Sequence, residues 1–308
     1  MRDLHELPKL RDSLSYVYVE QALVNRKDHA IELIDDQGRV MLPVASLCVL
    51  LLGPGTSITH AAVKVLAESG CTIVWVGEDA TRCYGQGFGE TRKAYHLLKQ
   101  AELCTSPERR MEVVLRMYRQ RFGYDLDRSL SVEQIRGLEG VRIRRAYVDA
   151  SRASGVEWTG RHYDRSQWQS ADPINRALSA ANALLNGLCH AAIVSGGYSP
   201  ALGFIHTGKQ LSFVYDVSDL YKVEFTIPSA FEVVRQSAAG VESRVREMCR
   251  DRFREARLLE RILPDIDEIL GVNEEDEQPA SALDLDEDSG MPTPLWEPAV
   301  SDAVSSVS

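Results

Sequence analysis

The stretch CTIVWVGEDATRCYGQGFGETR (residues 71–92) marks where the hydrophobic period of this chain changes. CTIVWVGE reads as a buried strand, and YGQGFGE (84–90) reads as a glycine-rich link. Upstream, from Leu14 to about Cys83, the segments SLSYVYVEQALV and HAIELIDDQGRVMLPVA alternate as strands do, with a DDQG turn, and SLCVLLLGPGT adds a further apolar run. A short helix over His60 to Ser69, stopped by Gly70, interrupts them. Downstream, from about Arg92, the period becomes helical. The expected class is therefore α+β: a β-rich N-terminal domain over residues 1–84, a linker at 85–92, and an α-helical domain over 93–271.

The helical region carries clear boundary signals. Ser106-Pro107-Glu108 opens a helix with an apolar stripe of Met111, Val114, Leu115, Tyr118 and Phe122, and with Arg109, Arg116 and Arg119 on the opposite face. Ser131 and Gln134 form a capping box for a second helix. Asp172-Pro173 opens a third through INRALSAANALL, whose small side chains allow close packing. A last long helix is expected from about Val241 to Leu263, bearing Arg244, Arg246, Arg250, Arg252, Arg254, Arg257 and Arg261. Helical arginines are usually solvated. Two such helices on one body raise a nucleic-acid reading without identifying it.

The net charge of −10 is unevenly spread. No Lys or Arg follows Arg261, whereas thirteen acids do, so the body up to that point holds 35 bases against 32 acids. The body suits a polyanionic partner, and the excess acid belongs to a Pro/Ser-rich tail at 272–308, expected to be disordered alone, with Trp296 as its one large aromatic. Six cysteines (Cys48, Cys71, Cys83, Cys104, Cys189, Cys249) are scattered with no CxxC pair, which argues against a zinc site or a disulfide framework and fits a reducing cytoplasm. The longest apolar run, near Leu42 to Leu52, is too short for a membrane span, and MRDLHELPKLRD lacks a secretory core, so a cytoplasmic protein is expected. YGQGFGE matches neither GxGxxG nor a P-loop; a nucleotide or sugar-phosphate enzyme built on it would need a helix opening directly after the glycines.

Two places carry chemistry. GFIHTGKQLSFVYDVSDL (203–220) puts His206, Asp216 and Asp219 within fourteen residues, the two acids three apart on one helical face. Imidazole with carboxylates suits a hard or borderline divalent ion, although a capped helix with solvated acids and a core histidine has the same spacing. Elsewhere, Glu139 sits in the middle of the stripe Val132, Ile135, Glu139, Ile143, Ala146 and Ala150. A buried carboxylate needs an ion pair, for which Arg136 and Arg142 are placed, or a metal. Glu139 together with the His-Asp cluster would make a site with open positions.

RGLEGVRIR around Glu139, WTGRHYDRSQW (158–168) and GFIHTGKQLSFVYDVSDL closely resemble the CRISPR-associated spacer-acquisition integrase family, most like its type I-E branch, from about Leu10 to Leu270. The resemblance implies an N-terminal β-sandwich-like domain followed by an all-α catalytic domain. It implies Glu139, His206 and Asp219 as ligands of Mg²⁺ or Mn²⁺, and Asp216 as a supporting catalytic acid. Lys209, Arg136 and Lys222 would hold nearby phosphates, with Arg109, Arg116, Arg119, Arg244 and Arg250 as further DNA contacts; Tyr163 and Trp168 match aromatics near the site. The position of a family tyrosine that stacks on the end of incoming duplex is Gln21 here, just after Tyr16 and Tyr18, and a second family tyrosine corresponds to Asn186, so no tyrosine nucleophile is expected.

The implied partners are double-stranded DNA with 3′ overhangs, CRISPR repeat and leader DNA, a second copy of the chain, and the small CRISPR-associated adaptation partner, Cas two, in a heterohexamer without a membrane. The implied reaction joins 3′-OH ends of captured DNA into the repeat by transesterification. The alternatives are a stand-alone metal-dependent nuclease of branched repair intermediates and a catalytically silent DNA scaffold.

Overall fold

The computed structural model describes residues 16–28, 30–44, 47, 49–77, 83–87, 95–161 and 172–272. Of the expected tail, residues 273–308 lie outside these residues, as do Tyr163 and Trp168. The strand region comprises β1 (Tyr16–Val19), β2 (Leu23–Lys27), β3 (Ala30–Asp35), β4 (Gly38–Pro43), β5 (Val49–Leu52), β6 (Ser57–Ile58), helix α1 (His60–Glu68), β7 (Thr72–Val76) and β8 (Cys83–Gly87). These strands form two four-stranded sheets, ordered β1-β5-β7-β8 and β4-β3-β2-β6.

Local chemistry sets the register. In the DDQG turn, the Asp35 carboxylate accepts hydrogen bonds from the amides of Gln37 and Gly38, both at 2.9 Å, and Asp35 pairs with Gly38 across β3 and β4. The run VLLL of β5 is apolar at every position because both of its faces are covered. Leu50, Leu52 and Ile73 of the first sheet join Val24 and Ile31 of the second and Ala62 and Leu66 of α1 in one core. On the other face, Val49, Leu51, Val74 and Val76 pack with Ala191 of the helical region.

The start of the glycine-rich stretch, Cys83–Gly87, is not open chain. It is the edge strand β8, antiparallel to β7. A Cβ on Gly85 or Gly87 would meet the indole of Trp75 on the neighbouring strand at 4.0 and 3.7 Å, ordinary contact distances, so that ring lies over both glycines.

The helical region runs α2 (Tyr95–Thr105), α3 (Pro107–Phe122), α4 (Val132–Ser154), α5 (Pro173–Ser195), α6 (Ser212–Tyr221), α7 (Thr226–Gln236), α8 (Val241–Glu255) and α9 (Leu258–Leu270). The expected caps are in place: Ser106 on α3, the Ser131–Gln134 box on α4, and Asp172 with Pro173 on α5. The buried stripe of α3 is Val113, Val114, Met117, Tyr118 and Arg121, with Met111, Leu115 and Phe122 at its margins. Helix α5 is the core helix, touching α6, α7, α8 and α9. It is long and apolar enough to cross a membrane, and 78% of its apolar window is buried inside the fold.

The single helix expected over 241–263 is two. The chain turns at Arg257, which takes the left-handed conformation (φ 49°). Val241, Val245, Cys249 and Phe253 step by four, but the next buried residue, Leu258, is five away. In one continuous helix that step would swing the stripe by about 140°, away from the core.

His190 on α5 is buried, and burial lowers its pKa from 6.5 to about 4. A histidine held neutral in the fold but free to protonate when unfolded stabilises the fold above pH 6.5, and that stabilisation is lost as pH falls toward 4. The protein is expected to lose about 2 kcal/mol between pH 7 and pH 5 from this residue. Urea melts of wild type and His190→Leu at both pH values check this, the variant showing the smaller difference.

Candidate active site

Helix α5 ends at Gly196, and the chain crosses to α6 through a loop with little repeating structure that carries His206. Side chains from four helices fix that loop. From α2, the buried Gln100 donates to the carbonyls of Ser199 and Leu202 and accepts from the Ser199 amide. From α3, Arg110 donates through Nε and Nη2 to the Phe204 carbonyl at 2.8 and 2.7 Å. From α4, Arg136 donates to the Ile205 carbonyl at 2.7 Å. From α6, Asp216 accepts the three successive amides of Phe204, Ile205 and His206 at 2.6, 3.0 and 2.9 Å.

The fourth bond to Asp216 comes from the imidazole, with His206 Nδ1 at 2.7 Å from Oδ1. A carboxylate that is fully buried and already accepts three amides acts here as acceptor, so Nδ1 donates and Nε2 is the ring nitrogen left over. Nε2 has no hydrogen-bond partner among the described residues, and the side chain is 43% exposed. Asp216 is thus a positioning acid whose oxygens are occupied. Tyr215 stands edge-on to the ring at 5.9 Å.

Asp219, three residues on, has a different environment. Its Oδ1 is 2.5 Å from Lys222 Nζ, and its Oδ2 is 3.9 Å from Arg121 Nη2. Burial alone would raise its pKa, but Lys222 and Arg121 together hold the carboxyl below its usual range. Glu139 faces the same guanidinium from α4, with Oε1 3.8 Å from Arg121 Nη1 and 3.3 Å from Arg142 Nη1. Burial pushes Glu139 above the usual carboxylate range, more than Arg121 and Arg142 draw it down, and the charge of Asp219 adds to the rise. Its second oxygen, Oε2, is buried without a hydrogen-bond partner.

Glu139, Asp219 and His206 therefore share one neighbourhood, with Lys222, Arg142 and Arg136 around them. Lys209 is on the same loop and exposed, and its backbone is bonded to the hydroxyl and the amide of Ser212. Of the two arginines flanking Glu139 in sequence, Arg142 pairs with it and Arg136 serves the loop instead. The remaining predicted bases lie elsewhere. Arg109 pairs with Glu102, Arg116 with Glu112 and Arg119 with Asp125. Arg244 closes the turn into α8 by bonding Gln236, Ser237 and Ala239, and Arg250 is on that same helix. Gln21 sits in the left-handed region (φ 51°), its amide bonded to Pro54, and Asn186 has a buried side-chain oxygen without a partner.

Arg121, Arg110 and Gln100 were not expected at the site. For Arg121 the signal was present, because it follows Val114, Met117 and Tyr118 at helical spacing, a charge on an apolar stripe like Glu139. Among the described residues no three His, Cys, Asp or Glu side chains form a ready cation cage. The donor types and the orphaned Glu139 oxygen nevertheless fit a hard divalent ion.

The family model for the CRISPR associated protein Cas1 matches residues 15–123 and 117–243 of this chain. A curated protein of Thermus thermophilus, "CRISPR-associated endonuclease Cas1 2", is 53% identical over 96% of this chain and 90% of its own length. "CRISPR-associated endonuclease Cas1 1" of Rhodospirillum rubrum is 47% identical over 85% of this chain and 86% of its own. A crystal structure described as a TtCas1–DNA complex superposes with a TM-score of 0.75 at 54% identity, covering 87% of this chain and 100% of the other. With strands followed by helices, and with two acids facing one buried arginine beside a histidine braced by a third acid, the chain belongs to the Cas1 family of CRISPR adaptation.

Proposed function

We propose that this chain is a metal-dependent DNA integrase and endonuclease that joins the 3′-OH ends of captured DNA fragments into the CRISPR repeat. The observation that carries the reading is His206, braced through Nδ1 by a buried Asp216 and electrostatically coupled, through Asp219, to Glu139 with its open oxygen. The solved DNA complex of a 54% identical relative supports DNA as the partner. Glu139, His206 and Asp219 would hold Mg²⁺ or Mn²⁺. Such an ion, when bound, polarises a phosphate oxygen and lowers the pKa of an attacking hydroxyl.

The chain's own residues supply the rest. Asp216 fixes the His206 ring through Nδ1, and the loop aims Nε2, the ring nitrogen left over for a ligand. Lys222 and Arg142, partly exposed beside the acids, are free to turn toward backbone phosphates, and Lys209 offers a cation that forms no ion pair among the described residues. In the reaction the 3′ oxygen of the captured strand forms a new bond to phosphorus while the bond to the repeat's own 3′ oxygen breaks. The proton lost by the attacking hydroxyl balances the one gained by the leaving oxygen, and no covalent protein intermediate forms. A second copy of the chain and the small partner Cas two would complete the assembly.

Glu139→Gln and His206→Ala are expected to bind DNA with 3′ overhangs normally in gel shifts. Joining to a repeat plasmid should fall more than about a hundred-fold. Normal joining by either variant removes the assignment. The relatives' name, endonuclease, keeps a second reading, a nuclease of branched DNA acting alone. Branched-DNA cleavage that is indifferent to the small partner, with no joining in its presence, would favour it.

A further inference from the structure

Arg121 is an unusual neighbour for two acids. Its side chain is 1% exposed, and it reaches Glu139 at 3.8 Å and Asp219 at 3.9 Å with different nitrogens of one guanidinium. Arginine and carboxylate that are free to approach close to about 2.8 Å, often through two parallel bonds. Here neither pair does. Nη2 is tied instead to the Asp216 carbonyl at 2.9 Å, and the cation lies 5.1 Å from the centre of the Tyr118 ring. Nε of Arg121 and Oε2 of Glu139 are both buried without hydrogen-bond partners. The guanidinium is therefore held where it balances charge while leaving acid oxygens unclaimed.

The charges at the site already exceed balance: two acids face Arg121, Arg142 and Lys222. Arg142 and Lys222 are 22% and 25% exposed and have room to turn away when another cation arrives. Arg121 has none.

We propose that Arg121 is a resident counter-cation that keeps Glu139 and Asp219 neutralised before metal enters, so that a divalent ion binds these acids only against its field. The inference rests on the metal-site reading given above. It makes Arg121 a positioning residue that sets metal affinity.

The test is Mn²⁺ binding to the full chain, followed by the paramagnetic resonance of free Mn²⁺, for wild type, Glu139→Gln, Arg121→Gln and Arg121→Lys. Glu139→Gln should lose the site; if it binds Mn²⁺ as wild type does, the metal-site reading itself fails. With that control satisfied, Arg121→Gln should bind at least about ten-fold more tightly than wild type, because a full positive charge near both ligands is gone. Arg121→Lys keeps a charge that cannot span both acids and should tighten by only about three-fold. The same order should appear in melting: Arg121→Gln has the lower Tm without metal and the larger rise with Mn²⁺. Unchanged or weaker Mn²⁺ binding in both arginine variants, with Glu139→Gln still inactive in binding, overturns the proposal.

Discussion

Asp216→Ala should be the most damaging single change at this site, costing about 3–5 kcal/mol of stability and removing DNA joining altogether. The carboxylate is fully buried and accepts three backbone amides and an imidazole N–H. Alanine would strand the Phe204 and Ile205 amides in the interior and take the acceptor from the His206 amide and ring, so the loop from Phe204 to His206 would lose its anchor on α6. Asp216→Asn keeps the size but turns one oxygen into a donor, which then opposes a donor already there. It should be nearly as harmful as alanine. Urea melts and gel-shift binding separate the two effects: both variants should lose stability, and any folded fraction should still bind DNA. A near-normal Asn variant would mean that the loop is held without the carboxylate.

Gly203→Ala is the second. A Cβ at this position would lie 2.2 Å from the His206 carbonyl oxygen and 2.8 Å from the Ser212 carbonyl carbon. Both are backbone atoms, so no side-chain rotation relieves the overlap. The loop that carries His206 folds back on itself here, and the N-terminus of α6 passes against the glycine. The expected cost is about 2–3 kcal/mol, with His206 displaced. Gly208 makes the right control, since it lies two residues past His206 in the left-handed region (φ 78°) with nothing within 4 Å. Gly208→Ala should cost only backbone strain, about 1 kcal/mol, and leave joining largely intact. Thermal melts of the two variants, with joining assays beside them, check the contrast.

Much of the architecture could be read from residue order because local rules agree with the tertiary outcome. Strand alternation, the Asp35 turn and the caps at Ser106, Ser131 and Asp172 all act within a few residues and are found where expected. Glu139 was legible for a related reason, since a charge on an apolar helical stripe demands an account. The same rule pointed to Arg121, whose spacing from Met117 and Tyr118 shows its burial as clearly. The break at Arg257 was also visible, as a five-residue step in a four-residue pattern. Other features had no local signal. That Gln100 and Arg110 secure a loop about a hundred residues later depends on how α2 and α3 dock, which no short window contains. Likewise the different tasks of Asp216 and Asp219, three residues apart on one helix, follow from what each meets across the fold. The basic face of α3 shows the converse: Arg109, Arg116 and Arg119 look like one surface in sequence, but each has an acid of its own.

The loop around His206 has no ladder of backbone bonds, yet helices α2, α3, α4 and α6 each hold it by a side chain. Its conformational entropy is therefore given up when the protein folds, and none of that ordering is left for the moment a substrate arrives. A reacting phosphate meets an imidazole that is already aimed, which favours the encounter geometry from the first contact. The same attachment makes the ring a lever on the surrounding helices: any shift among the four, from whatever cause, reaches His206 directly.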